Sequence, residues 1–231
     1  MLAALFSGGK DSTYAVYIAI RAGHKIGCLV SVIPENKESY LFHTPNISLV
    51  GKLSEAMEIP LVKMSSYGER DKELNDLKNA LKEAKAFGIT GVLTGAISSV
   101  YQASRIQRVC FELGLECFNP LWLRNEQEHI EEIIRNDFHV IFTGVSAHPF
   151  DKSWLGRSLN ALTARELGEL SRSHGINAAG EGGEYETLVV DCPLYKKRLF
   201  IHSSERVFKE GAGVLEIKEC ELIPKSREEA K

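Results

Sequence analysis

The sequence predicts an α/β protein: an open parallel sheet covered by helices, followed by a smaller C-terminal α+β domain. Three observations predict it. Through residues 1–95, short apolar runs alternate with longer amphipathic ones, the pattern of strands feeding helices in a parallel sheet. A glycine-rich string, Ser7-Gly8-Gly9-Lys10-Asp11-Ser12, stands between the first apolar run and the first helical pattern. Beyond a soft boundary near Asn119 the periodicity shifts towards strand and turn. The expected domains are therefore residues 1–119 and 120–225, with 226–231 a solvated tail.

Taken in order, residues 2–7 and 25–33 read as buried strands. Between them DSTYAVYIAIRAG carries a capping residue at its start and Gly23 at its end, the two signals of a helix. Thr44 and Pro45 supply an N-cap and a first-turn proline for a second helix reaching about Met57, and 60–66 is the next strand. From Asp71 to Phe87, Leu74, Leu77, Leu81 and Ala84 share one helical face. A strand over 91–96, a helix from Val100 to Leu113 and a strand from 115 to Pro120 follow. After them EQEHIEEIIRND is helical, 138–147 is a strand and 160–175 a helix. The remainder is mostly strand and turn.

Composition excludes several classes of function. With 231 residues, 44% hydrophobic and 26% charged, the chain can bury a sizeable core, so disorder is ruled out. Twenty-eight Lys and Arg against 31 Asp and Glu leave a net charge of −3, with no electrostatic drive towards DNA, RNA or an anionic membrane. The five cysteines (Cys28, Cys110, Cys117, Cys192 and Cys220) are scattered without zinc spacing, and read as reduced thiols. Cys110 and Cys117 read as core thiols. His43, His148 and His174 stand alone, without ligand spacing. The first apolar run is too short for a signal peptide, and a cytoplasmic protein is expected.

The string from Ser7 to Ser12 carries the first chemistry. At a strand-to-helix turn, backbone N–H groups and the helix dipole favour an anion, and two glycines let the chain approach a phosphate closely. Ser7 and Ser12 add hydroxyls and Lys10 a mobile charge; Asp11 is either a cap or a metal ligand. The spacing is not that of a Walker loop. A second string, 95–105, opens at a strand's C-terminal end and places Ser99, Gln102 and Arg105 near one helical face. It reads either as a ligand-facing helix or as a capped helix with a solvated polar side. A third string, 180–187, sets Glu181, Glu184 and Glu186 among Gly180, Gly182 and Gly183, with Asp191 nearby. Four neighbouring carboxylates either stay wet or meet a cation.

The first string resembles the pyrophosphate-binding loop of the N-type ATP pyrophosphatases, a superfamily with a Rossmann-like, adenine nucleotide alpha hydrolase-like sheet. It includes argininosuccinate synthetase and tRNA-thiolating enzymes. Together with Gly95 to Arg105, Pro120-Leu121-Trp122, GEGGEYET over 180–187 and Asp191-Cys192-Pro193, the chain resembles the diphthine-ammonia ligase family from about Leu2 to Ile223. The resemblance implies an AMP-forming amide ligase that amidates diphthine on translation elongation factor 2, with ATP and Mg²⁺ as cofactors and free ammonium as nitrogen source.

Carried over residue by residue, it implies that Ser7, Gly8, Gly9, Lys10, Asp11 and Ser12 hold the phosphates, with Ser31 and Gly95 also at the nucleotide. Asp11 would hold Mg²⁺, and Lys10 and Arg105 would serve catalysis. Ser99, Tyr101, Gln102, Arg105 and Trp122 would line the substrate. Glu181, Gly182, Gly183, Glu184, Tyr185, Glu186 and Thr187 would meet diphthine or ammonium, with Glu184 and Glu186 catalytic. Two other functions compete: a tRNA-modifying ATP pyrophosphatase and a non-catalytic ATP-binding regulatory module. A homodimer is left open.

Overall fold

The computed structural model describes residues 1–34, 46–66, 72–146 and 148–225. It divides into two compact units, Met1–Trp122 and Leu123–Lys231.

In the first unit β1 (Leu2–Leu5), β2 (Ile26–Pro34), β3 (Leu61–Ser66), β4 (Gly91–Leu93) and β5 (Glu116–Phe118) form a parallel sheet. Their order is β3-β2-β1-β4-β5. Parallel strands are covered on both faces, which is why β1 and β4 are apolar and buried almost without alternation. The helices α1 (Lys10–Arg21), α2 (Val50–Met57), α3 (Lys72–Ala84) and α4 (Val100–Leu113) make the crossovers. One core is formed by Val30, Val32, Val62 and Val92 of the sheet with Leu77, Leu81 and Ala84 of α3 and Val109 of α4, Leu74 packing at its edge. The helical face expected on α3 is therefore the face that is buried.

Two local expectations change, and two lie outside the described residues. Helix α1 begins at Lys10, with Gly9 as its N-cap and no side-chain cap bond, so Asp11 lies inside the first turn and does not cap it. Strand β5 ends at Phe118, short of Pro120; the Trp122 N–H turns back to the Asn119 carbonyl at 3.2 Å. The proposed cap and proline of the second helix, Thr44 and Pro45, lie outside the described residues, as does the 226–231 tail. Within the described residues α2 is entered from a 3-10 turn, Ile47–Leu49, behind Asn46.

The second unit holds α5 (Glu126–Arg135), β6 (His139–Val145), α6 (Ala161–His174), β7 (Tyr185–Asp191), β8 (Lys197–Lys209) and β9 (Ala212–Pro224). Its strands pair antiparallel in the order β7-β6-β9-β8. Asparagines start both helices: the Asn125 side chain accepts from Glu128 N–H, and Asn160 forms a reciprocal capping box with Thr163. An aromatic cluster fills the unit, with Phe142 5.1 Å from Trp154 and 5.0 Å from Tyr185, and Phe150 5.0 Å from Trp154. Edge-to-face contacts of this kind add to burial. Among the described residues no helix is long and apolar enough to cross a membrane.

Candidate functional site

The order β3-β2-β1-β4-β5 places a switch point between β1 and β4, where the chain winds away in opposite directions; ligands of open α/β sheets sit at such a crevice. The strings 7–12 and 95–105 leave from these two strands. Gly8 takes φ +81°, a left-handed conformation that glycine adopts without strain. Hydroxyls then hold the loop's shape: the Ser7 and Ser12 oxygens are 3.1 Å apart, and the Ser12 and Thr13 hydroxyls donate to the Gly9 carbonyl at 3.1 and 2.8 Å. A helix begins with N–H groups that have no intrahelical acceptor, and the N-cap here, Gly9, has no side chain to accept from them. A helix N-terminus in general favours an anion.

Lys10 differs from its expected form. It is not a mobile charge, because its side chain is 4% exposed and its Nζ lies 2.8 Å from Asp11 Oδ2. The pair holds one positive and one negative group at the first turn of α1. Gly95 sits directly on that turn: a Cβ there would stand 2.8 Å from Asp11 C and from Ser12 N. Only glycine lets the β4–α4 loop close onto α1. Behind it Thr94 hydrogen-bonds the Asn119 side chain through its hydroxyl, which also accepts from Ala96 N–H at 3.3 Å.

Further along α4, Ser99 is the N-cap and accepts from Gln102 N–H at 3.3 Å. Arg105 lies 3.6 Å over the Tyr101 ring, a cation–π contact, and its Nε is buried without a hydrogen-bond partner among the described residues. Gln102 and Trp122 are half-buried. Ser31 is buried in β2 with its hydroxyl donating to the Phe6 carbonyl at 2.6 Å, so it ties β2 to the end of β1.

The acidic string lies in the second unit, where the strand pleat sorts it. Glu184 and Glu186 alternate with Tyr185 and Thr187, so the two carboxylates share one face and the other two side chains the opposite one. Tyr185 is 3% exposed, packs on Phe142 and donates its hydroxyl to Ala178 O at 2.7 Å. It is a core residue and does not present its ring to a cation. Gly180 fits against that ring, where a Cβ would approach to 2.9 Å. Gly183, at φ +80°, makes the final turn into β7, and the Ser146 hydroxyl donates to its carbonyl.

Glu184 Oε1 accepts from Asn177 N–H at 2.8 Å, while Oε2 is buried without a hydrogen-bond partner among the described residues. Gly182 makes room for this carboxyl, which lies 2.6–2.8 Å from where its Cβ would stand. Asp191 leaves the expected cluster: it sits at the far end of β7, 2.6 Å from the Lys225 Nζ, the two side chains 11% and 8% exposed. Among the described residues no group of three or more His, Cys, Asp or Glu could hold a metal.

Other residues were invisible to sequence reasoning. His148 and His174 do not stand alone; their exposed rings lie 5.3 Å apart. His43 lies outside the described residues. Asn177 and Glu126 bind each other and the backbone beside the acidic string, next to a cavity of about 360 Å³ that Arg124, Glu126, Arg172 and Ala178 help to line. An asparagine just before a glycine-rich turn is a signal for side-chain bonds to the backbone two residues on, and could have marked Asn177. All five cysteines are free. Burial pushes the Cys28 thiol up to about 11 and the Cys192 thiol to about 12, so neither is a nucleophile near neutrality. Cys110 and Cys117 hydrogen-bond each other, which holds the Cys110 proton in place.

The first unit is thus an open parallel α/β sheet with a glycine-rich loop and a helix N-terminus at its switch point, and the second carries an acidic strand edge. Models of the diphthamide synthase N-terminal and C-terminal domains match residues 1–117 and 125–223. A protein of Bos taurus named diphthine–ammonia ligase is 36% identical over 226 residues, 89% of this chain and 84% of its own. One of the same name from Danio rerio is 37% identical over 224 residues, 88% of this chain and 87% of its own. A longer one from Schizosaccharomyces pombe is 30% identical, matching 94% of this chain but 39% of its own. The chain belongs to the diphthamide synthase family, and is an enzyme of the ligase class. A solved structure titled a predicted subunit of tRNA methyltransferase, from Methanocaldococcus jannaschii, is 15% identical with a TM-score of 0.43, over 83% of this chain and 96% of that one.

Proposed function

We propose that the chain amidates diphthine on translation elongation factor 2, from ATP and ammonium, through an acyl-adenylate. A carboxylate is a poor electrophile, so its oxygen first attacks the α-phosphorus of ATP. The α–β phosphoanhydride bond breaks and pyrophosphate leaves. Ammonia then attacks the acyl carbon, its C–O bond to AMP breaks, and nitrogen sheds its surplus protons as the amide forms. The loop from Ser7 to Ser12 holds the β and γ phosphates, and Lys10, fixed by Asp11, offsets charge building on the departing pyrophosphate. Gly95 keeps that loop closed, and Arg105 faces the acyl-phosphate. Asp11 offers a single carboxylate, which fits Mg²⁺ only when phosphate oxygens complete its shell; the ion would supply further charge neutralisation on the phosphates.

The observation that carries the second half is the Glu184 carboxylate, with one oxygen bonded by Asn177 N–H and the other buried without a hydrogen-bond partner among the described residues. A buried acceptor without a donor calls for one, which ammonium supplies through its N–H groups; the quaternary ammonium of diphthine, which has no N–H, would bring only its positive charge. Glu186, on the same strand face, is the second carboxylate for these cations and for the protons ammonium loses. The division into a nucleotide unit (1–119 with the 120–122 turn) and an acceptor unit (to 225) belongs to this reading, as does a cytoplasmic setting where the elongation factor works.

The test is direct. Incubate the protein with ATP, Mg²⁺, ammonium chloride and diphthine-bearing elongation factor, follow the amide by mass spectrometry and the nucleotide products by chromatography. AMP and pyrophosphate should appear in step with amide. ADP and orthophosphate would overturn the mechanism, and turnover of ATP without any amide would overturn the acceptor.

A further inference from the structure

Residues 176–186 form a segment whose shape depends on one side chain. Gly180 and Gly183 turn it through left-handed φ values, and between them Glu181 and Gly182 make no regular backbone pairing. Such a segment needs its polar groups satisfied locally. The bonds converge on Asn177. Its Oδ1 accepts from Ala179 N–H at 2.9 Å and from Glu181 N–H at 3.3 Å. The Nδ2 donates to Glu126 Oε1 at 2.6 Å, while the backbone N–H donates to Glu184 Oε1 at 2.8 Å and the carbonyl accepts from Gly180 N–H at 2.9 Å. The second Glu126 oxygen takes Ala178 N–H at 2.8 Å, and Ala178 O takes the Tyr185 hydroxyl.

No other residue type fits this set. Asparagine carries a donor and an acceptor on one short planar group; aspartate lacks the donor, and glutamine would place both one methylene too far. Glu126, at the first turn of α5 beside its cap Asn125, is itself held at a helix N-terminus where a carboxylate is favoured. The anchor is therefore rigid, and it reaches Glu184 through one residue.

We propose that Asn177 is a positioning residue of the acidic loop: braced by Glu126, it fixes the Glu181 backbone and aims the Glu184 carboxylate at the incoming cation. This rests on the reading that the loop serves ammonium or diphthine. Asn177 touches no reacting atom. Its effect runs through Glu184, one of whose oxygens it occupies, leaving the other for the ligand.

The chemistry of the pair supplies its own control. Asn177→Asp sets two carboxylates against each other, and Glu126→Gln turns an amide N–H₂ towards a donor. Combined, they restore every bond with roles exchanged: Gln at 126 donates to Asp at 177 and still accepts from Ala178 N–H, and the net charge is unchanged. Each single variant should lower amidation by about tenfold or more, with a raised KM for ammonium chloride and unchanged ATP binding, at temperatures well below its own melting point. Hydrogen exchange at the Ala179 and Glu181 amides should quicken. The double variant should return both readouts to within about threefold of the unaltered protein.

Quickened exchange with unchanged amidation would overturn the reading that the loop serves the cation, and the proposal with it. Unchanged exchange in the single variants would overturn the positioning role alone. Failure of the double variant to recover either readout would overturn the Asn177–Glu126 brace. Amidation that merely follows the folded fraction of each variant would reduce Asn177 to a structural residue.

Discussion

The two glycine-rich loops are braced by different side chains: serine hydroxyls in one, an asparagine amide in the other. In the loop at 7–12 Gly8 turns the chain through a left-handed φ and Gly9 opens a helix without a capping side chain of its own, with the Lys10–Asp11 pair locked beside it. The loop at 180–186 uses glycine for packing and turning, Gly180 against the Tyr185 ring and Gly183 into β7, and its backbone N–H groups are consumed by Asn177. The first loop bonds its Ser7 and Gly9 N–H groups to its own Ser12 and Ser7 hydroxyls and pairs its lysine with Asp11; the second bonds its N–H groups to the Asn177 side chain and keeps a buried carboxylate. Glycine content alone does not say how such a loop is held or what it leaves open. The partners of its backbone donors distinguish the two.

The largest effect should come from a carboxylate that the comparison leaves out of the loop. Asp191 and Lys225 form a mostly buried pair, and removing one partner of such a pair costs about 3–5 kcal/mol. Asp191→Asn should lower the melting temperature by roughly 6–20 °C, since 1 kcal/mol moves a domain of this size by about 2–4 °C. Amidation by the folded fraction should persist. A stable Asp191→Asn protein without amidation would return Asp191 to the acidic site.

Next is Lys10. Because the side chain is buried, alanine would remove packing as well as charge, so Lys10→Met is the cleaner change. Turnover to AMP should fall by about 10²-fold or more, the scale of one preorganised charge-stabilising donor. An active Lys10→Met enzyme would dissolve the contrast between the loops.

Glu184→Gln tests the other side. Glutamine can keep the bond from Asn177 N–H through its carbonyl oxygen, so charge is lost and shape is kept. Amide formation should fall by about ten- to a hundredfold, the equivalent of a charge-assisted contact, while calorimetric ATP affinity should hold. Loss of ATP binding in parallel would assign both loops to the nucleotide.

The smallest effect calibrates the rest. Arg157 donates to Glu166 at 2.7 Å, and this bond holds the Glu166 carboxyl below its usual 4.5. A depressed folded-state value contributes stability above the unfolded value and loses it as pH falls through the folded one. The pair is partly solvated, so Glu166→Gln should cost about 0.2–1 kcal/mol near neutrality. That difference should vanish in acid below the carboxylate range. A larger cost would mean that stability changes in the second unit cannot be separated from its loop chemistry.

Local patterns were legible in the sequence and long-range partners were not. Leu77, Leu81 and Ala84 announced a buried helix face because a 3.6-residue period needs no knowledge of the neighbour. The place of the 7–12 loop was legible for the same reason: glycines between a strand pattern and a helix pattern mark a turn, and the string does join β1 to α1. Tyr185 was misread although its period-2 alternation with Glu184 and Glu186 already placed it on the opposite face. By contrast, nothing near Asp191 foretells Lys225, nothing near Asn177 foretells Glu126, and nothing in Gly95 foretells its contact with Asp11 and Ser12. Those pairings are set by topology, which brings together residues that no local pattern connects.

The seat of Gly95 on α1 also orders events in time. A growing chain delivers β1 and α1 first, yet β1 has only β2 beside it until β4 is inserted on its other edge, most of the unit's length later. Closing so long a segment carries an entropic cost before its contacts repay it, which makes pairings of this kind slow. The first turn of α1 therefore gains its final backing late, when residues 91–95 dock. A ligand that needs this backing would favour chains that have finished the sheet, and by mass action it would pull unfinished ones towards completion.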